Sequence, residues 1–223
     1  MSSENYTNQK LERAQAAIAR GSISVGVTGC NAVVIAADRT PTSPLCDVHS
    51  VRHVEKIDKH IGMAYSGLDP DYRILVKAGR KFGQVYYLTH QVLIPVKELV
   101  ERVGSVVEVH TNLIAVRPFG VSLLVCGWSN ESPQLYKIEP TGLFSPWKAS
   151  AQGKNACRSK EVLVERYSEG LETDDAIHLA LLALWKGGCE MIPDNIEIGI
   201  CDQNGFRRLD HGSVQEYLYS FVS

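Results

Sequence analysis

Apolar positions along the chain change period several times, and each change marks an element. From residue 8 to residue 20, Leu11, Ala14 and Ile18 recur at helical spacing, with Thr7 or Asn8 able to cap the start and Gly21 to close the end. This stretch is rich in alanine, so its apolar face is narrow and suits packing on a partner or a groove. Ile23 to Val27 and Val33 to Ala37 are short apolar runs around Gly29-Cys30-Asn31, a hairpin whose turn expects φ > 0 at Gly29 and Asn31. The second run is nearly continuous, which suits a strand buried on both faces. Pro41 and Pro44 then punctuate a loop.

Val48, Val54 and Ile57 bracket a further strand, and residues 60–67 another. Asp69-Pro70 reads as a capped helix start, followed by Tyr72, Leu75, Val76, Phe82 and Tyr86 over about five turns. Pro95 opens a second helix with Val96, Leu99, Val100, Val103 and Val107 on one face. Arg117 to Gly120 launches a β-rich run, Ser132-Pro133 starts its return, and Pro140 to Gly142 turns into Leu143 to Trp147. Residues 149–155 lead into a helix ending near Tyr167, and Thr173 caps the next, which Gly187-Gly188 ends. Ile196, Ile198 and Ile200 alternate, as in a half-buried strand. Gly205-Phe206 turns into a short strand, and Ser213 with Glu216 forms a capping box for a last helix. Strands therefore come in hairpin clusters between pairs of helices. That order predicts an α+β fold with antiparallel sheets between helix layers.

Composition narrows the function without choosing it. The 223 residues are 44% hydrophobic and 22% charged, enough for one large domain with a real core. A net charge of −2 lacks the basic excess of a nucleic-acid binder. The six cysteines are scattered with no C-x-x-C pair, so neither a zinc knuckle nor a redox motif is indicated. The polar N-terminus lacks the apolar core of a signal peptide, and no apolar run approaches membrane-spanning length. These features together suit a reducing setting such as the cytoplasm or nucleus.

No glycine-rich phosphate loop and no G-x-S-x-G elbow occurs. His49 and His53 lie four apart in an extended run with no third ligand nearby in sequence, and read as surface or interface residues rather than metal ligands. Gly21-Ser22 is more suggestive. A hydrolase that uses its own N-terminal residue needs a small nucleophile at a strand start, freed by cleavage after glycine, with its α-amine as base. Ser22 fits the nucleophile and Asp38, at the end of the next strand, fits the acid. No lysine stands at the matching position to tune the amine. The plain alternative is that Ser22 simply follows a helix-ending glycine.

Taken together, residues 21–38, 60–76, 116–128, 147–155 and 194–201 resemble the 20S proteasome subunits, over nearly the whole chain from about Thr7. The resemblance implies the four-layer αββα sandwich of the N-terminal nucleophile hydrolases. It also implies a helix within residues 1–20 ahead of a single domain spanning 21–223. Residues 8–21 resemble the extra N-terminal helix of the alpha class, whose members form a heteroheptameric ring, cap the proteolytic beta ring and do no chemistry. Ser22 falls in the catalytic threonine's column, Asp38 in the acidic column, and His53 in that of the catalytic lysine. With a helix ahead of it, Ser22 has no α-amine, so these columns read as vestigial. The competing reading is a self-processing beta-type serine/threonine peptidase with Ser22 as nucleophile.

The alpha class also implies work in ubiquitin-dependent degradation: neighbouring alpha subunits and the beta ring as partners, and an ATPase regulatory particle or another activator docking in pockets between alphas. No cofactor, metal, nucleic acid or membrane is implied. This chain's share of a pocket for an activator's tail would be Glu12, Gly21, His53 and Leu68. The family usually carries lysine at the position of His53, so the resemblance implies weak docking at neutral pH. The family's Tyr-Asp or Tyr-Ser and Ser-Pro gate motifs are missing and Arg13 replaces a tyrosine, so a small share in closing the gate is expected.

Overall fold

The computed structural model describes residues 3–41, 43, 45, 51–113 and 116–222; of residues 3–7 and 222 only the backbone is described. The chain builds two antiparallel five-stranded sheets. One carries β1 (Ser24–Thr28), β2 (Ala32–Asp38), β8 (Ala149–Gln152), β9 (Ile196–Asp202) and β10 (Gly205–Arg208), in the order β10-β9-β2-β1-β8. The other carries β3 (Val54–Asp58), β4 (Ile61–Gly67), β5 (Val121–Ser129), β6 (Ser132–Ile138) and β7 (Phe144–Pro146), in the order β3-β4-β5-β6-β7. Helices α4 (Ala156–Arg166), α5 (Thr173–Lys186) and α6 (His211–Val222) cover the first sheet. Helices α2 (Asp69–His90) and α3 (Val96–Asn112) cover the second. The four-layer αββα order expected from the sequence is thus the architecture.

The layering explains the sequence pattern. Val34 and Ala36 of β2 face Ala180 and Leu184 of α5, while Val33, Ile35 and Ala37 face Ala64 and Leu124 of the other sheet. A strand covered on both sides has no polar face to show, hence the unbroken apolar run. The same holds for β9, which is buried from Ile196 to Cys201 rather than half-buried. Its isoleucines meet the helices, and the residues between them lie toward the other sheet. Glu197 is therefore an interior carboxylate.

Several local expectations change. Helix α1 runs Ser3–Arg20, longer than residues 8–20, and Ala14 is its buried contact. It rests on β4 and β5 of its own chain, which is the groove its narrow face required. The β1–β2 turn closes through Gly29 N donating to Ala32 O at 2.8 Å, and neither Gly29 nor Asn31 takes positive φ. Gly29 is needed for space instead, because a Cβ there would press on the Leu171 carbonyl. Helix α2 is six turns rather than five, and its N-cap is Leu68, with Pro70 in the first turn. Asp69 does not cap; its carboxylate pairs with Arg73 and accepts the Tyr65 hydroxyl at 3.2 Å. Glu172, not Thr173, is the cap position of α5, without a side-chain bond. At α6 the expected box is replaced by Asp210, which accepts the Ser213 hydroxyl at 2.5 Å. β8 interrupts a stretch read only as a lead into a helix, whereas Val48 and His49 lie outside the described residues.

Candidate functional site

The end of the sandwich where β1 starts gathers most of the candidate residues. Helix α1 closes through Gly21 N, which donates to Ile18 O at 3.0 Å, and Lys154 N donates to Gly21 O at 2.9 Å. Gly21 lies directly on the backbone of Gly67, and a Cβ there would overlap the Gly67 nitrogen. Gly67 in turn abuts the Gly120 carbonyl at φ +123, and Leu68 N donates to that same oxygen at 3.0 Å. Three backbones thus meet without side chains between them. The buried Asp71 carboxylate secures the corner by accepting Gly120 N at 2.8 Å and both Arg117 terminal nitrogens.

Ser22 sits between this corner and the first sheet. Its carbonyl accepts the Ser66 hydroxyl at 2.7 Å. Its own hydroxyl has no hydrogen bond among the described residues. Asp38 is beside it in backbone terms, since Asp38 N donates to Ile23 O at 2.9 Å. The Asp38 carboxylate is occupied elsewhere: it accepts Thr40 N at 2.8 Å and Thr40 Oγ1 at 2.6 Å. The strand ends are therefore brought together as the sequence suggests, but acid and hydroxyl are not coupled. Ser22's nitrogen is a peptide nitrogen joined to a packed helix, so it cannot serve as a base.

Two polar clusters flank Ser22. One is neutral. Ser66 Oγ lies 3.1 Å from both Ser24 Oγ and Gln152 O, Ser122 Oγ donates to Gln152 Oε1 at 2.7 Å, and Gln152 Nε2 donates to Ser122 O at 2.9 Å. The other is ionic. Glu197 Oε2 accepts His53 N at 2.7 Å and Val54 N at 2.8 Å, and Oε1 accepts Arg39 Nη1 at 3.0 Å. His53 is 8% exposed, so it is an interior residue and not the surface histidine its extended run suggested. Its ring stacks on Tyr65 at 5.0 Å, and Tyr65 stacks on Tyr72 at 4.0 Å. His53 Nδ1 is buried with no hydrogen-bond partner among the described residues. Burial lowers the His53 pKa below the ordinary 6.5, against the pull of Glu197, Asp38 and Asp69, so the ring is neutral at pH 7.

Of the four residues expected to share a pocket, three gather here: Gly21 and Leu68 join at Gly67, and His53 is one strand away behind Tyr65. Glu12 does not join them within this chain. It is exposed on α1, nine residues before Gly21 and about 13 Å along the helix axis. Glu197, Arg39, Gly67 and Gly120 are the organising residues that sequence reasoning missed. For Glu197 a signal existed: one acid inside an otherwise apolar strand. A groove of about 330 Å³ opens beyond Tyr72, lined by Arg52, Glu55, Asp69, Arg73 and Arg80 among others, while Arg39 and Glu197 line a separate one of about 320 Å³.

Against this geometry stand the comparisons with known proteins. A family profile described as "Proteasome subunit" matches residues 18–201. The chain is 54% identical over 212 residues to "Proteasome subunit alpha type-2" of Drosophila melanogaster, covering 95% of this chain and 91% of that protein. It is 41% identical to the alpha type-2 subunit of Oryza sativa subsp. indica over 94% of this chain and 90% of that one. With the alpha type-2-A subunit of Arabidopsis thaliana it shares 42% over the same fractions.

Proposed function

The chain belongs to the proteasome subunit family as an alpha-type member, and we propose that it works there as a non-catalytic subunit of the alpha ring of the 20S core particle, serving protein degradation. The observation that carries the absence of chemistry is the peptide nitrogen of Ser22, continuous through Gly21 with helix α1. In this reading residues 1–20 are an appendage to a single domain spanning 21–223. Its partners are neighbouring alpha subunits and the beta ring, with cytoplasm and nucleus as its setting. Intact mass of the chain taken from assembled particles tests the reading. A chain retaining α1, together with unchanged peptide hydrolysis in a Ser22→Ala particle, is expected. A mature chain beginning at Ser22 would overturn it in favour of a beta-type peptidase.

The same end of the molecule also serves as this subunit's wall of an activator pocket, built from Gly21, His53 and Leu68 with Glu12 above. A neutral His53 offers a terminal carboxylate little attraction at pH 7, and protonation as pH falls strengthens it. His53→Lys is expected to raise the affinity of assembled particles for peptides bearing an activator-type C-terminus at pH 7.5. Equal affinity for wild type and variant sinks this reading of the pocket.

A further inference from the structure

At the other side of the first sheet, β8 is an edge strand, paired among the described residues only to β1. Thr28 N donates to Lys148 O at 2.8 Å, which fixes the parity of the ladder: Lys148, Ser150 and Gln152 turn their peptide groups toward β1. Ala149 and Ala151 therefore turn theirs away from it. The remaining sheet edges are blunted in recognisable ways. β7 is three residues long and ends in Pro146, β3 carries a register shift between Lys56 and Asp58, and β10 is a short strand bearing Arg207 and Arg208. β8, Ala-Ser-Ala-Gln, has neither proline nor charge.

The free edge of β8 also opens into a groove against α4. One cavity, about 240 Å³, is lined by Trp147, Ala149, Ser150, Leu163, Val164 and Tyr167, with Lys148 and Lys160. A second, about 250 Å³, continues along Ala151, Gln152 and Gly153 toward α1, and Lys160 lines both. The wall of the first is apolar and open: Val164 is 85% exposed and Trp147 41%. On the other face of the strand, Ser150 is 1% exposed and turns its side chain toward the second sheet, where its hydroxyl has no hydrogen-bond partner among the described residues. At the rim Lys148 is paired with Glu169, but Lys160 is exposed and in no ion pair among the described residues.

Unpaired strand groups, an apolar trough beside a helix and an uncompensated cation call for a ligand of one kind. We propose that the β8–α4 groove binds an extended segment of another polypeptide by strand addition. That segment hydrogen-bonds the outward peptide groups of Ala149 and Ala151, seats an aliphatic or aromatic side chain against Leu163, Val164 and Tyr167, and presents a carboxylate to Lys160. The inference needs neither the proteasome reading nor the activator pocket, which lies at the start of β1 and the end of β4.

The test uses the full-length chain and a fluorescent peptide Glu-Val-Leu-Val-Glu, followed by anisotropy and by amide exchange. Saturable binding that slows exchange of the Ala149 and Ala151 amides is expected. A peptide N-methylated at its central residues, with the same side chains, should bind about tenfold or more weaker, because each lost strand bond leaves a partner unmade. Lys160→Glu should weaken the acidic peptide and restore binding to Lys-Val-Leu-Val-Lys. Ala149→Pro removes only an outward N–H and should mimic the N-methyl result. Equal binding of the N-methylated peptide, no protection of the two amides, or indifference to Lys160→Glu would each overturn the proposal. The peptide arms stand whether or not the proline variant folds.

Discussion

The two polar clusters beside Ser22 solve one problem in opposite ways. Both bring buried polar atoms together at the same end of the sandwich. The Ser24–Ser66–Gln152–Ser122 cluster uses only hydroxyls, an amide and backbone carbonyls, all neutral. The Arg39–Glu197–His53 cluster places a carboxylate against a guanidinium and two backbone N–H groups, with an uncharged imidazole behind. A neutral network contributes by satisfying groups that would otherwise be stranded, and pH does not touch it. An ionic one depends on every charge having its counterpart, so removing one member costs more than the pair contributes.

The sharpest way to break this contrast is Glu197→Ala. It takes the counter-charge from Arg39, whose side chain is 12% exposed and keeps only its bonds to the Asp194 carbonyl, and leaves two buried N–H groups without an acceptor. A loss of about 3–5 kcal/mol in urea denaturation is expected. Ser66→Ala is the matching cut in the neutral cluster, removing the donor to Ser22 O and the contact with Gln152 O. It should cost about 1–3 kcal/mol, and equally at pH 5 and pH 8. If Ser66→Ala proves the costlier, the ranking of ionic over neutral fails.

Legibility in the sequence divides along the same line. The neutral cluster depends on β8, and Ala-Ser-Ala-Gln offers no large apolar alternation and weak strand propensity. Pairing to β1 and burial of Ala151 under α4 and α5 make it a strand, and both are tertiary. The ionic cluster was half visible. His53 and Asp38 stood out by type, while Glu197 looked like the solvent side of an alternating strand until the second sheet covered it. The caps failed for a related reason: Asp69, Thr173 and Ser213 are good capping residues, yet Asp69 is engaged by Arg73 and Tyr65, Glu172 takes Thr173's place, and Asp210 takes Ser213's. Long periodic elements such as α2, α3, β2 and β5 were readable because burial follows their period.

Proton titration separates the clusters more gently. Burial holds the folded His53 below 6.5, so as pH falls the unfolded chain takes up the proton first. Its contribution to stability is complete above pH 6.5 and shrinks from there down to the folded-state pKa, below which it is constant. His53→Phe, which keeps a ring on Tyr65, should flatten that part of the denaturation midpoint against pH; an unchanged slope assigns the dependence elsewhere. The smallest effect is expected for Ser150→Ala. With no bond to lose, stability should stay level or rise by up to about 1 kcal/mol, read from the thermal midpoint.

The meeting of Gly21, Gly67 and Gly120 has a mechanical consequence. Side chains act as springs, since a rotamer change lets neighbouring elements slide by fractions of an ångström. At this corner main chain rests on main chain, and the Asp71–Arg117 clamp holds the far side. Helix α1 therefore cannot shift at its C-terminal end without carrying the β4–α2 corner and the entry to β5 with it. A push on α1 from outside is delivered to the sheet as displacement instead of being absorbed where it lands.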